Sequence, residues 1–534
     1  MSSRRGFLAG ASGILLSAGI RGQEGQPSGG LVLGQTQGAE AGREILRGGG
    51  NAVDAIAAAA LAAGVAAPAS TGVAGYGGAF VVAQPDGTVS AIDFNGTAPR
   101  LARPELFTGK SPGQGSPAYH GWLSPCVPGV LAGIQMALDQ FGTRKFSDVA
   151  QPAIRLARDG FTLNQQLANA IRNAAASLGR DPGSAALYLP GGKLPVPGAR
   201  LFNKNLAKML EILALKGRVD DFYQGEIADS IAEDFRKNDG LVRKEDLASF
   251  RAQLIKPLEF TFGNWRIYTP PPTAGGITAL QALAIVQRLG DACGVGGSAS
   301  WHQARLESLR LAWGDRLSLL GDDGLAEKWC RELLSPGRIE NAAETVKKAV
   351  KNSKPVTART DGSTAGGTIH LSAVDREGRM ASLTFTHGDG FGSHVTIDRW
   401  GLTLGHGMSR FNLQSGHPNS IGPGKRPLHN MCPVVAVRGR TPVLAMGATG
   451  GRKIPNALFD VLSHLVLAGN DHKKAVAAPR MNTDGGMVLS LEKSWHEGQV
   501  AAWKALGYET RVAGSAALNM VYRGETGQME GLSR

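Results

Sequence analysis

Cysteine is scarce in this chain: Cys126, Cys293, Cys330 and Cys432 are the only four among 534 residues. They lie far apart, with neither the paired spacing of a zinc site nor the density of a disulfide framework. They read as structural thiols, and no metal ligand set or cofactor is expected. Long apolar runs are missing too, since no segment reaches the roughly 18 consecutive apolar residues of a membrane span. Basic residues exceed acidic ones, 57 to 44, but they are scattered, with no basic run and no interleaved aromatics. That argues against a nucleic-acid partner. Glycine breaks the pattern of scarcity, at 74 residues. It shows no G-X-Y period, so the chain is not collagen-like. The cluster Gly75-Tyr-Gly-Gly78 is followed by no Lys-Ser/Thr, so it is a weak candidate for a phosphate loop.

What is present is ordinary globular material, 42% hydrophobic and 19% charged, long enough for a large core. Ser3-Arg-Arg-Gly-Phe-Leu8 leads into a short, weakly apolar segment from Ala9 to Ile20. Residues 1–23 read as a twin-arginine export signal, which implies a bacterial periplasmic or secreted protein; a basic N-terminal tail is the alternative. From Ala39 to Pro68 the pattern predicts a helix, a C-cap at Gly48 and a second, alanine-rich helix with Asn51 and Asp54 at its start. Ala79–Val82 and Val89–Phe94 predict paired strands, residues 144–250 are mainly helical, and Lys347–Gly367 reads as an exposed tether.

The tether runs into Thr368. Ile369-His-Leu-Ser-Ala-Val374 alternates as a strand with one apolar face, Asp375-Arg-Glu-Gly378 is a turn, and Met380–Thr386 is a second strand, so the pair predicts a β-hairpin. Thr368 has two readings. It is a β-branched strand residue, or it becomes a new N-terminus when the Gly367–Thr368 bond breaks. In the second case its own α-amine, with an unperturbed pKa of about 8, activates the hydroxyl as a nucleophile. The glycines before it allow the distorted backbone that such a cleavage needs.

Thr368-Ile-His-Leu-Ser-Ala-Val-Asp375, with Gly378 and Ser382-Leu-Thr-Phe-Thr386, resembles the nucleophile region of the gamma-glutamyltransferase family. The resemblance extends over almost the whole chain, through Gly49-Gly-Asn-Ala-Val-Asp-Ala55, Ser70–Gly78, Leu241–Phe250 and Gly447-Ala-Thr-Gly-Gly451. It implies a self-cleaving N-terminal-nucleophile hydrolase with a four-layer αββα sandwich. A large subunit would span 24–367 and a small one 368–534, acting on a small amide through a threonyl ester. It also implies catalytic roles for Thr368, for Thr386 as the supporting threonine, and for the Gly450 and Gly451 amides as the oxyanion hole.

The substrate-binding positions depart from the family's pattern. Asn95 stands where the family has an arginine for the substrate's α-carboxylate. Arg410 stands where an acid pairs with the α-ammonium. His429 and Asn430 replace two serines, and Gly388 stands in place of an asparagine. An amide cannot reproduce a bidentate guanidinium–carboxylate pair. The resemblance thus implies a γ-glutamyl or related acyl amide as substrate. Two alternatives stay open: a hydrolase of a simpler anionic acyl amide, and an inactive member acting as a binding protein.

Overall fold

A computed structural model describes residues 21–24, 29–107, 116–294, 296–358 and 367–534. The expected twin-arginine segment, apart from its last residues, and the glycine-rich run before Gly367 lie outside these. Two sheets form the middle of the molecule. The first has six strands in the order Gly30–Leu33, Gly367–Asp375, Met380–Gly388, Gly77–Ala83, Val89–Asp93 and Gln253–Ile255. The second has seven, in the order Arg21–Glu24, Met529–Ser533, Ala517–Arg523, Thr441–Thr449, Val434–Arg438, Trp265–Thr269 and Leu258–Phe262.

Three apolar clusters show how the layers stack. Val81, Val374, Met380, Val435, Ala445 and Val521 meet between the two sheets. Leu371, Ala373, Leu383 and Phe385 face the other way, into a cluster with helix Ala52–Ala66 and its neighbours. Val434, Leu444 and Met446 do the same for helices Gly276–Leu289, Ala299–Leu319 and Lys453–Leu462. The architecture is helix, sheet, sheet, helix. Helix Ala52–Ala66 is buried along its whole length, as an all-round apolar helix must be. Among the described residues no helix is long and apolar enough to cross a membrane.

Local chemistry sets the register at the centre. Asn51 caps its helix by accepting from Val53 and Asp54 amides at 2.8 and 3.0 Å, and the Asp54 carboxylate accepts from Asn51 N at 2.8 Å. Asp375 closes the hairpin turn by accepting from the Glu377 and Arg379 amides at 3.1 and 2.9 Å. Its other oxygen accepts from Ala52 N at 3.0 Å, so one carboxylate ties the Gly367–Gly388 hairpin to the start of the central helix. Gly378 completes the turn at φ +90°, a left-handed conformation that suits glycine.

The strand after Thr368 alternates as its pattern predicts, and its polar face is buried as well. His370, Ser372, Ser382 and Thr384 are all buried because the second sheet covers them, with Ser382 Oγ donating to Met446 O at 3.0 Å. The tether is less exposed than its composition predicts. Lys347–Lys351 still belong to helix Pro336–Lys351. Val356 is buried, its N–H given to Glu307 Oε2 at 3.0 Å and its carbonyl held by Arg310 Nη1 at 2.9 Å.

Candidate active site

Thr368 sits at an irregularity in the hairpin. Gly367 pairs with Gly388 and Ile369 with Phe385, so Thr386 and His387 together oppose Thr368. Such a bulge re-aims side chains, and here it brings two hydroxyls together. Thr368 Oγ1 donates to Thr386 Oγ1 at 3.4 Å, and Gly388 N–H donates to the same oxygen at 2.7 Å. Thr386 in turn donates its own proton to the carbonyl oxygen of Gly367. A hydroxyl has one proton and two lone pairs, so Thr386 is fully used. Both threonines are buried.

Behind them lies His370, which bonds Thr384 Oγ1 through Nδ1 at 2.9 Å and Ser372 Oγ through Nε2 at 2.7 Å. Burial pushes its pKa down to about 3, so the ring is neutral at physiological pH. A side chain at Gly447 would start 2.3 Å from His370 Nδ1. That contact fixes how strand Thr441–Thr449 approaches strand Gly367–Asp375. Gly450 and Gly451 end this strand at φ +145° and +60°, just before helix Lys453–Leu462. Amide N–H groups at a helix start favour negative charge. The turn is braced from helix Ala299–Leu319: Trp313 Nε1 donates to Asn456 Oδ1 at 2.7 Å, and Asn456 Nδ2 donates to Thr483 O at 2.7 Å.

The remaining sequence candidates fall into two groups. Arg410 is half-buried beside the threonines, donating through Nη2 to Gly388 O and lying 3.4 Å from His406 Nε2. It also bonds the buried Tyr76 hydroxyl, whose pKa burial raises to about 12 against the lowering effect of Arg410. Asn95 lies one strand away from Thr386: Gly77 pairs with Thr386, and a Cβ on Gly77 would sit 2.5 Å from Asn95 Cα. The Asn95 side chain is fully buried and donates to Pro427 O at 2.7 Å, its Oδ1 having no protein partner. The same 426–430 segment carries Asn430, half-buried, and His429, buried with its ring lowered to about 3 by burial and then by Arg316. Arg316 holds this segment by donating to the backbone oxygens of Thr273, Ala274 and His429 at 3.1, 2.6 and 2.8 Å.

Sequence reasoning did not single out Tyr76, His406, Arg316 or Asp375 individually. Asp375 was signalled by its place before the turn glycine. Tyr76 and Arg316 gave no signal, because their partners are tens to hundreds of residues away in the chain, and His406, although four residues from Arg410, sits in a loop with no periodicity to mark its face.

A family model described as Gamma-glutamyltranspeptidase matches residues 38–533. The glutathione hydrolase proenzyme of Escherichia coli strain K12 is 32% identical over 463 residues, covering 83% of this chain and 79% of that one. The acylase ACY 1 proenzyme of Pseudomonas sp. strain SE83 is 32% identical over 487 residues, covering 89% and 86%. Among solved structures, cephalosporin acylase from Bacillus halodurans superposes with a TM-score of 0.85 at 23% identity, over 98% of this chain and 97% of that one. At that identity the match speaks for the fold. Helicobacter pylori gamma-glutamyltranspeptidase gives a TM-score of 0.56 at 28% identity, over 63% of this chain and 95% of that one.

Proposed function

Since the chain belongs to the gamma-glutamyltranspeptidase family, we propose that it is an exported, self-cleaving amide hydrolase or acyltransferase with Thr368 as nucleophile. One observation carries this reading: the Thr386 hydroxyl joins the Thr368 hydroxyl to the Gly367 carbonyl oxygen. That is what attack on the Gly367–Thr368 bond requires. The nucleophile's proton has an acceptor, and the carbonyl is polarised by a donor.

In maturation, Thr368 Oγ1 adds to the Gly367 carbonyl carbon, the Gly367–Thr368 C–N bond breaks, and the nitrogen takes a proton to become a free amine. Water then hydrolyses the Gly367 ester to a carboxylate. The products are a large piece ending at Gly367 and a small piece, 368–534, starting at Thr368. In turnover the freed α-amine takes the Thr368 hydroxyl proton as Oγ1 attacks the substrate amide. The Gly450 and Gly451 amides stabilise the oxyanion, the amine product leaves with a proton, and water or an acceptor amine resolves the threonyl ester.

The substrate is a γ-glutamyl or related acyl amide, and charge favours the related kind. Arg410 is a fixed cation beside the two threonines, and it repels the α-ammonium of a γ-glutamyl group. Asn95, His429 and Asn430 stand where the family's pattern has charged or hydroxyl partners for a γ-glutamyl group. The preferred acyl group therefore carries a carboxylate and no α-ammonium. Gel electrophoresis and mass spectrometry of the purified chain are expected to show two pieces meeting at Gly367–Thr368, and Thr368→Ala a single inactive chain. kcat/KM is expected to be higher for glutaryl-p-nitroanilide than for γ-glutamyl-p-nitroanilide, which differs only by the α-ammonium. A preference for the γ-glutamyl compound would reverse the specificity assignment.

A further inference from the structure

Gly388 is held at both ends and has a neighbour where its side chain would be. It lies at φ +106°, a conformation open mainly to glycine. A Cβ there would fall 2.3 Å from His406 Cδ2, 2.4 Å from His406 Nε2 and 3.4 Å from Arg410 Nη2. His406 is fully buried, its backbone N–H bonded to His387 O at 2.8 Å, and the Tyr119 ring lies against it with centroids 5.4 Å apart. The imidazole is thus packed against its neighbours and fills this space. On one side of Gly388, its N–H donates to Thr386 Oγ1 at 2.7 Å. On the other, its carbonyl accepts from Arg410 Nη2, which also points at His406 Nε2 at 3.4 Å.

We propose that Arg410 and His406 are positioning residues for cleavage of the Gly367–Thr368 bond. They act through the Gly388 backbone on Thr386. Glycine, having no Cβ, is free to leave this conformation for others. Unless its carbonyl is pinned, its N–H wanders from the Thr386 oxygen, and Thr386 then loses its aim at the Gly367 carbonyl. Arg410 pins the carbonyl, and the His406 ring fills the space that a side chain at 388 would otherwise use to hold itself in place. The inference rests on the autocleavage reading above, and it assigns Arg410 a task that exists before any substrate binds.

The test is the rate of maturation of the full-length chain, followed on gels with mass spectrometry of the new N-terminus and with no substrate present. Arg410→Met, which keeps the length and loses the donors, is expected to slow cleavage by at least about tenfold. Arg410→Lys, which keeps one donor, recovers part of the rate. His406→Ala, which empties the space beside Gly388, slows cleavage while leaving Arg410 in place. Once matured, the Arg410→Met enzyme is expected to lose kcat on glutaryl-p-nitroanilide, because Thr386 is misaligned, and a loss confined to KM would contradict positioning. Thermal melting of each variant separates misalignment from unfolding, and if Arg410→Met is insoluble, His406→Ala and Arg410→Lys carry the comparison. A wild-type chain that stays uncut removes the autocleavage reading and this one with it. A cut wild type with Arg410→Met and His406→Ala cut equally fast overturns this inference alone.

Discussion

Replacing Thr386 by valine isolates the hydroxyl that the site is built on. The shape is nearly unchanged, but three bonds vanish: the donation to Gly367 O and the acceptances from Thr368 Oγ1 at 3.4 Å and Gly388 N at 2.7 Å. The buried Gly388 N–H is left without a partner, which costs about 1–3 kcal/mol of stability. The native state survives that loss, since domains are stable by about 5–15 kcal/mol. The kinetic effect is larger, because the bond to Gly367 O strengthens as negative charge develops there. Removing one such donor slows a reaction by about 10²–10³. The assay is a gel time course of maturation, with the melting temperature measured in parallel. Thr386→Val is expected to mature about 10²–10³ more slowly with a modestly lowered melting point, and Thr386→Ser to regain most of the rate. A Thr386→Val chain that matures within about threefold of wild type would refute the assignment of Thr386 as the group that polarises the scissile carbonyl.

Two further outcomes concern stability, both best measured in the Thr368→Ala chain so that the proposed cleavage cannot intervene. Arg305 and Asp460 form a fully buried ion pair, with Arg305 also donating to Ser463 Oγ at 2.9 Å and lying 4.3 Å over Trp301. Arg305→Met strands the Asp460 carboxylate and is expected to cost about 3–5 kcal/mol, while Arg305→Met with Asp460→Leu recovers most of it; denaturant unfolding checks both. Acid sensitivity follows from the buried imidazoles. Burial lowers His370, His387, His429 and His464 to about 3, so below about 6.5 the unfolded chain takes up protons that the native rings refuse. Asp93 and Asp460, raised to about 6 chiefly by burial, work in the opposite sense between about 6 and 4. Four imidazoles outweigh two carboxyls, so the unfolding midpoint is expected to fall steadily as pH drops from 6.5 to 4.5. A midpoint that rises over that window would contradict the burial of these rings.

Much of the centre of this molecule is written in short stretches of sequence. The Asn51–Asp54 cap, the turn closed by Asp375 and Gly378, and the hairpin that carries Thr368 and Thr386 all depend on contacts within a few residues or across one turn. Periodicity and turn chemistry report such contacts directly. The resemblance of the 368–386 stretch to a known nucleophile region added the pairing of the two threonines, and hairpin pairing keeps them close.

The alternation of residues 369–374 tells which side chains share a face and says nothing of what covers that face. Only the second sheet, assembled from segments near both ends of the chain and its middle, makes His370, Ser372, Ser382 and Thr384 a buried polar seam. Position 388 shows the same division. The sequence determined that a glycine stands there, and tertiary packing decided that His406 and Arg410 occupy the vacated space. Likewise Asn95 and Pro427, 332 residues apart, meet beside Thr386 only because Gly77 brings its strand against the hairpin that carries Thr368 and Thr386. Local preferences are encoded in neighbouring residues, whereas a site made from distant segments exists only once the core has closed and fixed the faces against one another.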